Sequence, residues 1–188
     1  MQEHLPSYEE ALSILKEFNS SDSLLKHAYS VEGVMRYMAR KRGEDEEKWG
    51  IVGLMHDLDY ERYPEQHCEK SREILDERGW PEEYVRAIVS HGWGICSSAE
   101  PKTEMEKTLY AIDELTGLIT AVAIIRPSKS VADLKAKSVM KKWKNKSFAA
   151  GVNRAIIEKG RAMLGVELRD LITDVIMGMR DVADRIGL

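Results

Sequence analysis

Gly53-Leu54-Met55-His56-Asp57-Leu58-Asp59-Tyr60 closes an apolar helical run on an adjacent histidine and aspartate, with a further acid and an aromatic residue beyond them. Neighbouring residues in mid-helix point about 100° apart, so a His-Asp pair can grip one ion mainly where the helix stops. The sequence supplies that stop. Apolar residues run Trp49, Ile51, Val52, Leu54, Met55, and after Asp57 the pattern breaks into Asp59-Tyr60-Glu61-Arg62-Tyr63-Pro64. We read the pair as half of a metal site. Imidazole and carboxylate together suit Mn, Fe, Co, Ni, Zn or Mg without selecting among them. The plainer alternative is a helix-end hydrogen bond with no chemistry.

Outward from this stretch, helical periodicity continues nearly throughout and no segment of useful length alternates as a strand would, which predicts an all-α fold. Ser7-Tyr8-Glu9-Glu10 reads as a capping box opening a helix with Leu12, Leu15 and Phe18, ending near Asn19. Asp22 or Ser23 caps a second helix that reaches Arg42 and stops at Gly43, and Asp45 opens the helix that delivers His56 and Asp57. A helix from Glu65 to Arg78 bears His67; another from Pro81 to Ser90 ends at His91, followed by a glycine-flanked loop around Trp93. A second capping box, Thr103-Glu104-Met105-Glu106, starts a helix to about Ile125 that is apolar on most sides, as a central helix is. Further helices are predicted from Ser130 to Lys144, Asn153 to Leu164 and Glu167 to Arg185.

A chain of 188 residues suits one domain, 1–188. The formal net charge of −4 and a pI near 5.8 argue against general nucleic-acid or anionic-membrane binding. Cys68 and Cys96 form neither a CxxC motif nor a disulfide framework, and Met1-Gln2-Glu3-His4 lacks the pattern of a secretory leader, so a cytoplasmic location is expected. The longest apolar run, Leu118 to Ile125, is too short to span a bilayer.

Two further residues are out of place in a simple core. His27 sits on the apolar stripe of the second helix, and Asp113 lies among Leu109, Ile112 and Thr116. A buried carboxylate without a partner costs several kcal/mol, so Asp113 needs a metal, an arginine or several donors. The order His27, His56-Asp57, Asp113 on successive helical elements resembles the HD superfamily of metal-dependent phosphohydrolases, over roughly Leu24 to Ile125. The resemblance implies an all-α HD-like core at about 22–125 with a C-terminal helical extension, 126–188, and implies that His27, His56, Asp57 and Asp113 are metal ligands. Ala111-Ile112-Asp113-Glu114-Leu115-Thr116-Gly117-Leu118, with the segment from Lys137 to Asn153, also looks like a group of predicted HD hydrolases without an established substrate. Some HD proteins hold a second ion with two intervening histidines, and His67 and His91 occupy such places; otherwise they are surface or substrate-contacting residues around one ion. The tandem histidine and the Gly-Tyr-Pro signature of the cyclic-dinucleotide branch are missing, since Gly92 follows His91.

The expected reaction is hydrolysis of a small phosphate ester, nucleotides among the candidate substrates, by a water activated at one or two divalent ions. Asp57 would orient the nucleophile, and Asp59 or Glu61 would take its proton. Phosphate also needs positive charge. Between Arg126 and Lys146 eight cationic side chains face the single acid Asp133, and of these Arg126 and Lys129, nearest the Asp113 helix, are the candidates for binding substrate phosphate. The other lysines read as a solvated helix face opposite Ala132, Ala136, Val139, Met140 and Trp143. Both cysteines read as ordinary thiols. The stripe Leu168, Ile172, Val175, Met179, Val182, Ile186 is core packing, with a homodimer interface as the alternative. Two rival functions stand beside hydrolysis: a di-iron oxygenase, which the same six ligands would serve, and a non-catalytic nucleotide- or RNA-binding helical module.

Overall fold

Local capping chemistry sets the first helices of the computed structural model, which describes residues 5–188; Met1 to His4, read above as lacking a secretory-leader pattern, lie outside the described residues. The Ser7 hydroxyl accepts from the Glu10 amide and opens α1, Tyr8–Phe18. Helix α2, Asp22–Arg42, stops where Gly43 adopts a left-handed conformation at φ 72°. The Asp45 carboxylate accepts from the Glu47 and Lys48 amides and starts α3, Glu46–Met55, and His56 is its C-cap. A 3-10 turn at Pro64–Gln66 precedes α4, Glu69–Glu77, and α5 spans Glu82–Ser90. Thr103 and Glu106 make a reciprocal capping box for α6, Glu104–Ile124. The chain continues through α7, Ala136–Trp143, α8, Arg154–Leu164, α9, Leu168–Arg180, and α10, Ala183–Ile186. No strand occurs among the described residues, and the fold is all-α.

Helix α2 is the hub, packed against α3, α6 and α9, while α6 is also covered by α8. Val31, Val34 and Met35 of α2 meet Val52 and Leu54 of α3, Leu115 and Ile119 of α6 and Ile172 and Val175 of α9 in one buried apolar core. The α6–α8 crossing is close enough to require glycine. A Cβ built on Gly160 would lie 2.5 Å from the Ala111 Cα, a backbone atom that cannot turn aside. Gly160→Ala is therefore expected to cost about 1–3 kcal/mol through helix separation, read as a lower urea midpoint at unchanged slope.

Four predicted boundaries differ from the fold. His67 lies in no helix: it sits between the 3-10 turn and α4, where Cys68 takes φ 68°. The predicted Ser130 helix begins only at Ala136. The Arg180 guanidinium donates to the Val131 and Leu134 carbonyls at 2.9 Å and fixes a turn there, leaving Ala132 exposed and outside α7. The last predicted helix breaks after Arg180, with Val182 at φ −121°. Val182 packs on Gly33, Arg40 binds Asp181, and Arg185 reaches Glu32 at 3.0 Å. Finally, α2 is preceded by Ser21, one residue earlier than the predicted cap. Leu168, Ile172, Val175, Met179 and Ile186 are buried within the chain and Val182 is partly so, and the stripe packs as core. No helix of the described residues is long and apolar enough to cross a membrane.

Candidate metal centre

The end of α3 aims two neighbouring side chains at one point, as the sequence pattern requires. His56 is fully buried, and Asp57 begins the tight turns that carry the chain to Tyr60. That turn is pinned from α1: the buried Asn19 amide donates to the Leu58 carbonyl at 2.8 Å and to the Leu15 carbonyl at 3.3 Å. Helix α2 brings His27 to the same point, and α6 brings Asp113.

The four donors form a compact set. His27 Nε2 lies 3.1 Å from His56 Nε2, 3.0 Å from Asp113 Oδ1 and 3.7 Å from Asp57 Oδ2. His56 Nε2 is 3.3 Å from both Asp57 Oδ2 and Asp113 Oδ1. Donors with such separations leave room for a common centre about 2 Å from each, the length of a zinc–nitrogen or zinc–oxygen bond. The second oxygen of Asp57 faces another set. Asp57 Oδ1 is 3.4 Å from His67 Nε2 and 3.5 Å from His91 Nε2, and the two imidazole nitrogens are 3.1 Å apart. One carboxylate thus stands between two groups of donors.

The outer ring nitrogens fix which face of each imidazole looks inward. His56 Nδ1 donates to the Gly53 carbonyl at 2.8 Å and His91 Nδ1 to the Ile88 carbonyl at 2.6 Å. His67 Nδ1 donates to Asp59 Oδ1 at 2.7 Å. A carbonyl or carboxylate only accepts, so Nδ1 carries the proton and the Nε2 of each neutral ring presents a lone pair. His67 and His91 then point lone pairs at each other and at a carboxylate, an arrangement that needs a proton or a metal cation between them. Charge agrees with geometry. Burial opposes the charged form of His56, yet Asp57 and Asp113 hold its pKa well above the usual imidazole value. Burial likewise pushes Asp57 and Asp113 up, and the imidazoles, His56 foremost, outweigh it and keep both below the carboxylate range. The centre favours positive charge, as a divalent-ion site does.

The structure gives other predicted residues different work. Asp59 is fully buried, with Oδ1 on His67 and Oδ2 accepting from the Ser71 amide at 2.8 Å, so it positions His67 and caps α4; it is not free to take a proton from water. Glu61 turns away to accept from the Ser20 amide at 2.7 Å, the Ser20 hydroxyl at 2.7 Å and the Ser21 amide at 3.0 Å. It clamps the turn to the start of α2 and is not placed as a base. Arg126 and Lys129 are not brought to the centre: the eleven residue steps from Asp113 to Ile124, the end of α6, alone span about 16 Å along the axis. Arg126 is engaged by Asp133 at 2.7 Å, and Lys129 is exposed on the far turn.

A cavity of about 390 Å³ opens onto the cluster, lined by His27, Asp57, His67, His91 and Asp113, and by residues without a sequence-based assignment. Tyr60 and Ile95 stand at its exposed side, and Gly151 and Ile156, from the segment predicted to lie outside the core, form part of its wall. Glu114 also lines it and accepts from the Asn153 amide at 3.0 Å, tying the start of α8 to the helix of Asp113. The acid next to Asp113 was the available signal for that tie. No lysine or arginine lines the cavity among the described residues.

A family model described as an HD domain matches residues 24–118, just over half of the chain. No curated protein and no solved structure gave a significant match.

Proposed function

The chain belongs to the HD domain family, and from that premise we propose that it is a metal-dependent phosphohydrolase with two divalent ions, acting on a small phosphate ester. The observation that carries this reading is the placement of the Asp57 carboxylate, one oxygen toward His27, His56 and Asp113 and the other toward His67 and His91. His27, His56, Asp57 and Asp113 would hold one ion; Asp57, His67 and His91 would hold the second. A bound divalent ion supplies Lewis acidity toward a phosphoryl oxygen and lowers the pKa of water from 15.7 to about 7–9.

The protein's own part is positioning. Asp59 fixes the ring of His67, and the Gly53 and Ile88 carbonyls fix those of His56 and His91, so these three imidazoles are already oriented toward the centre. Asp57 Oδ1 and Oδ2 orient what binds between the clusters. Tyr60, Ile95 and Ile156 offer the non-phosphate part of a substrate an apolar wall and displace water beside the centre. A wall without lysine or arginine suits a single phosphoryl group neutralised at the centre better than a polyphosphate chain, whose added charges would face Asp113 and Glu114.

The test is a screen of phosphate monoesters with metal-reconstituted protein under argon. Phosphate release with Mn or Mg is expected. Turnover that requires iron and consumes dioxygen would overturn hydrolysis in favour of the oxygenase, for which the same six-residue donor set would serve.

A further inference from the structure

We propose that Cys68 and Cys96 form a redox-modification site, closing a reversible disulfide on exposure to peroxide and thereby withdrawing His67 from the metal centre. The second half of this proposal rests on the reading of His67 as a ligand. Although 28 positions apart in sequence, the two sulfurs are 3.2 Å apart and unbonded. A disulfide requires about 2.05 Å, so a closure of little more than 1 Å joins them.

The surroundings are built to let these sulfurs meet. Gly92 lies against both: a Cβ there would sit 2.3 Å from the Cys96 sulfur and 2.5 Å from the Cys68 sulfur. Cys68 itself takes φ 68°, a left-handed conformation that costs a non-glycine residue of order 1–3 kcal/mol. The pair is also unequal in access. Cys96 is exposed in the loop that follows His91 and lines the cavity, whereas Cys68 is buried directly behind His67.

That inequality orders the chemistry. The Cys96 sulfur attacks a peroxide oxygen, the O–O bond breaks, and hydroxide leaves to become water, giving a sulfenic acid. The Cys68 sulfur then attacks the Cys96 sulfur; the S–S bond forms, the S–O bond breaks, and the second oxygen leaves as water with the Cys68 proton. Two thiols are oxidised by two electrons and one peroxide is reduced to two waters. Closure pulls on the backbone adjoining His67, whose Nε2 must stay near Asp57 Oδ1, now at 3.4 Å, to share an ion with it.

Metal-loaded protein treated with stoichiometric hydrogen peroxide, desalted, and analysed by intact mass, thiol titration and metal content tests the proposal. The expected result is a loss of two hydrogens, no titratable thiol, and one metal ion fewer per chain, all restored by dithiothreitol and added metal. Cys68→Ser should instead gain oxygen at Cys96 with no loss of hydrogen. Two titratable thiols remaining, or oxygen addition in the unaltered chain, would overturn the modification site. A disulfide that forms while the metal content stays at its initial two would overturn its control of the centre. An unoxidised protein that holds one ion at saturation would instead refute the two-ion reading of function, and the mass measurement would still judge the disulfide.

Discussion

Asp57→Ala is expected to abolish phosphate release while leaving the helical fold intact. Its carboxylate is the one group that faces both donor sets, with Oδ2 3.3 Å from His56 and Oδ1 3.4 and 3.5 Å from His67 and His91. Without it His67 and His91 are left as two imidazoles, too few to retain an ion, and His27, His56 and Asp113 lose their link to the nucleophile. Metal assistance contributes several kcal/mol to a phosphoryl-transfer barrier, so the loss corresponds to at least about 10³-fold in kcat. Helicity should persist, because Asp57 follows α3 and contributes nothing to the apolar core. Circular dichroism, metal content and phosphate release on one sample decide the matter. Full activity in a folded, metal-depleted variant would sink the assignment.

His67→Ala should remove one ion and spare the other. The first set keeps His27, His56, Asp57 and Asp113, whose mutual separations do not involve His67. The second set keeps only His91 and one Asp57 oxygen. Metal content should therefore fall from close to two per chain to close to one, with kcat lowered at least about 10²-fold, the upper range for loss of a mere supporting contact to a ligand. Wild-type protein saturating at one ion, with the variant also holding one, would show that His67 is not a ligand. Its effect would then be sorted by whether kcat falls or KM rises.

The sequence by itself determined what local physics can encode. Side-chain caps at Ser7, Asp45 and Thr103 and the left-handed stop at Gly43 act within one turn of helix, and these boundaries stand as read. The helix stop beneath His56-Asp57 is of the same kind. His27 and Asp113 were legible because each is a polar residue on an apolar stripe, a conflict that some partner must resolve, and because their order with His56-Asp57 resembles the HD pattern.

Tertiary structure alone decided the rest. Asp59 and Glu61 are equivalent acids after a helix end in sequence. Burial against Ser71 and His67 made the first a positioning residue, and the Ser20 and Ser21 amides drew the second outward. Arg126 looked close to Asp113 because it directly follows the predicted helix of Asp113, yet the rise of that helix carries it away from the centre. Gly151 and Ile156 reach the cavity, and Cys68 meets Cys96, through packing of segments far apart in the chain. Periodicity and capping report on a residue's nearest turn; which distant groups share a point depends on how α2, α6 and α8 cross, and that is fixed by close contacts such as Gly160 on Ala111.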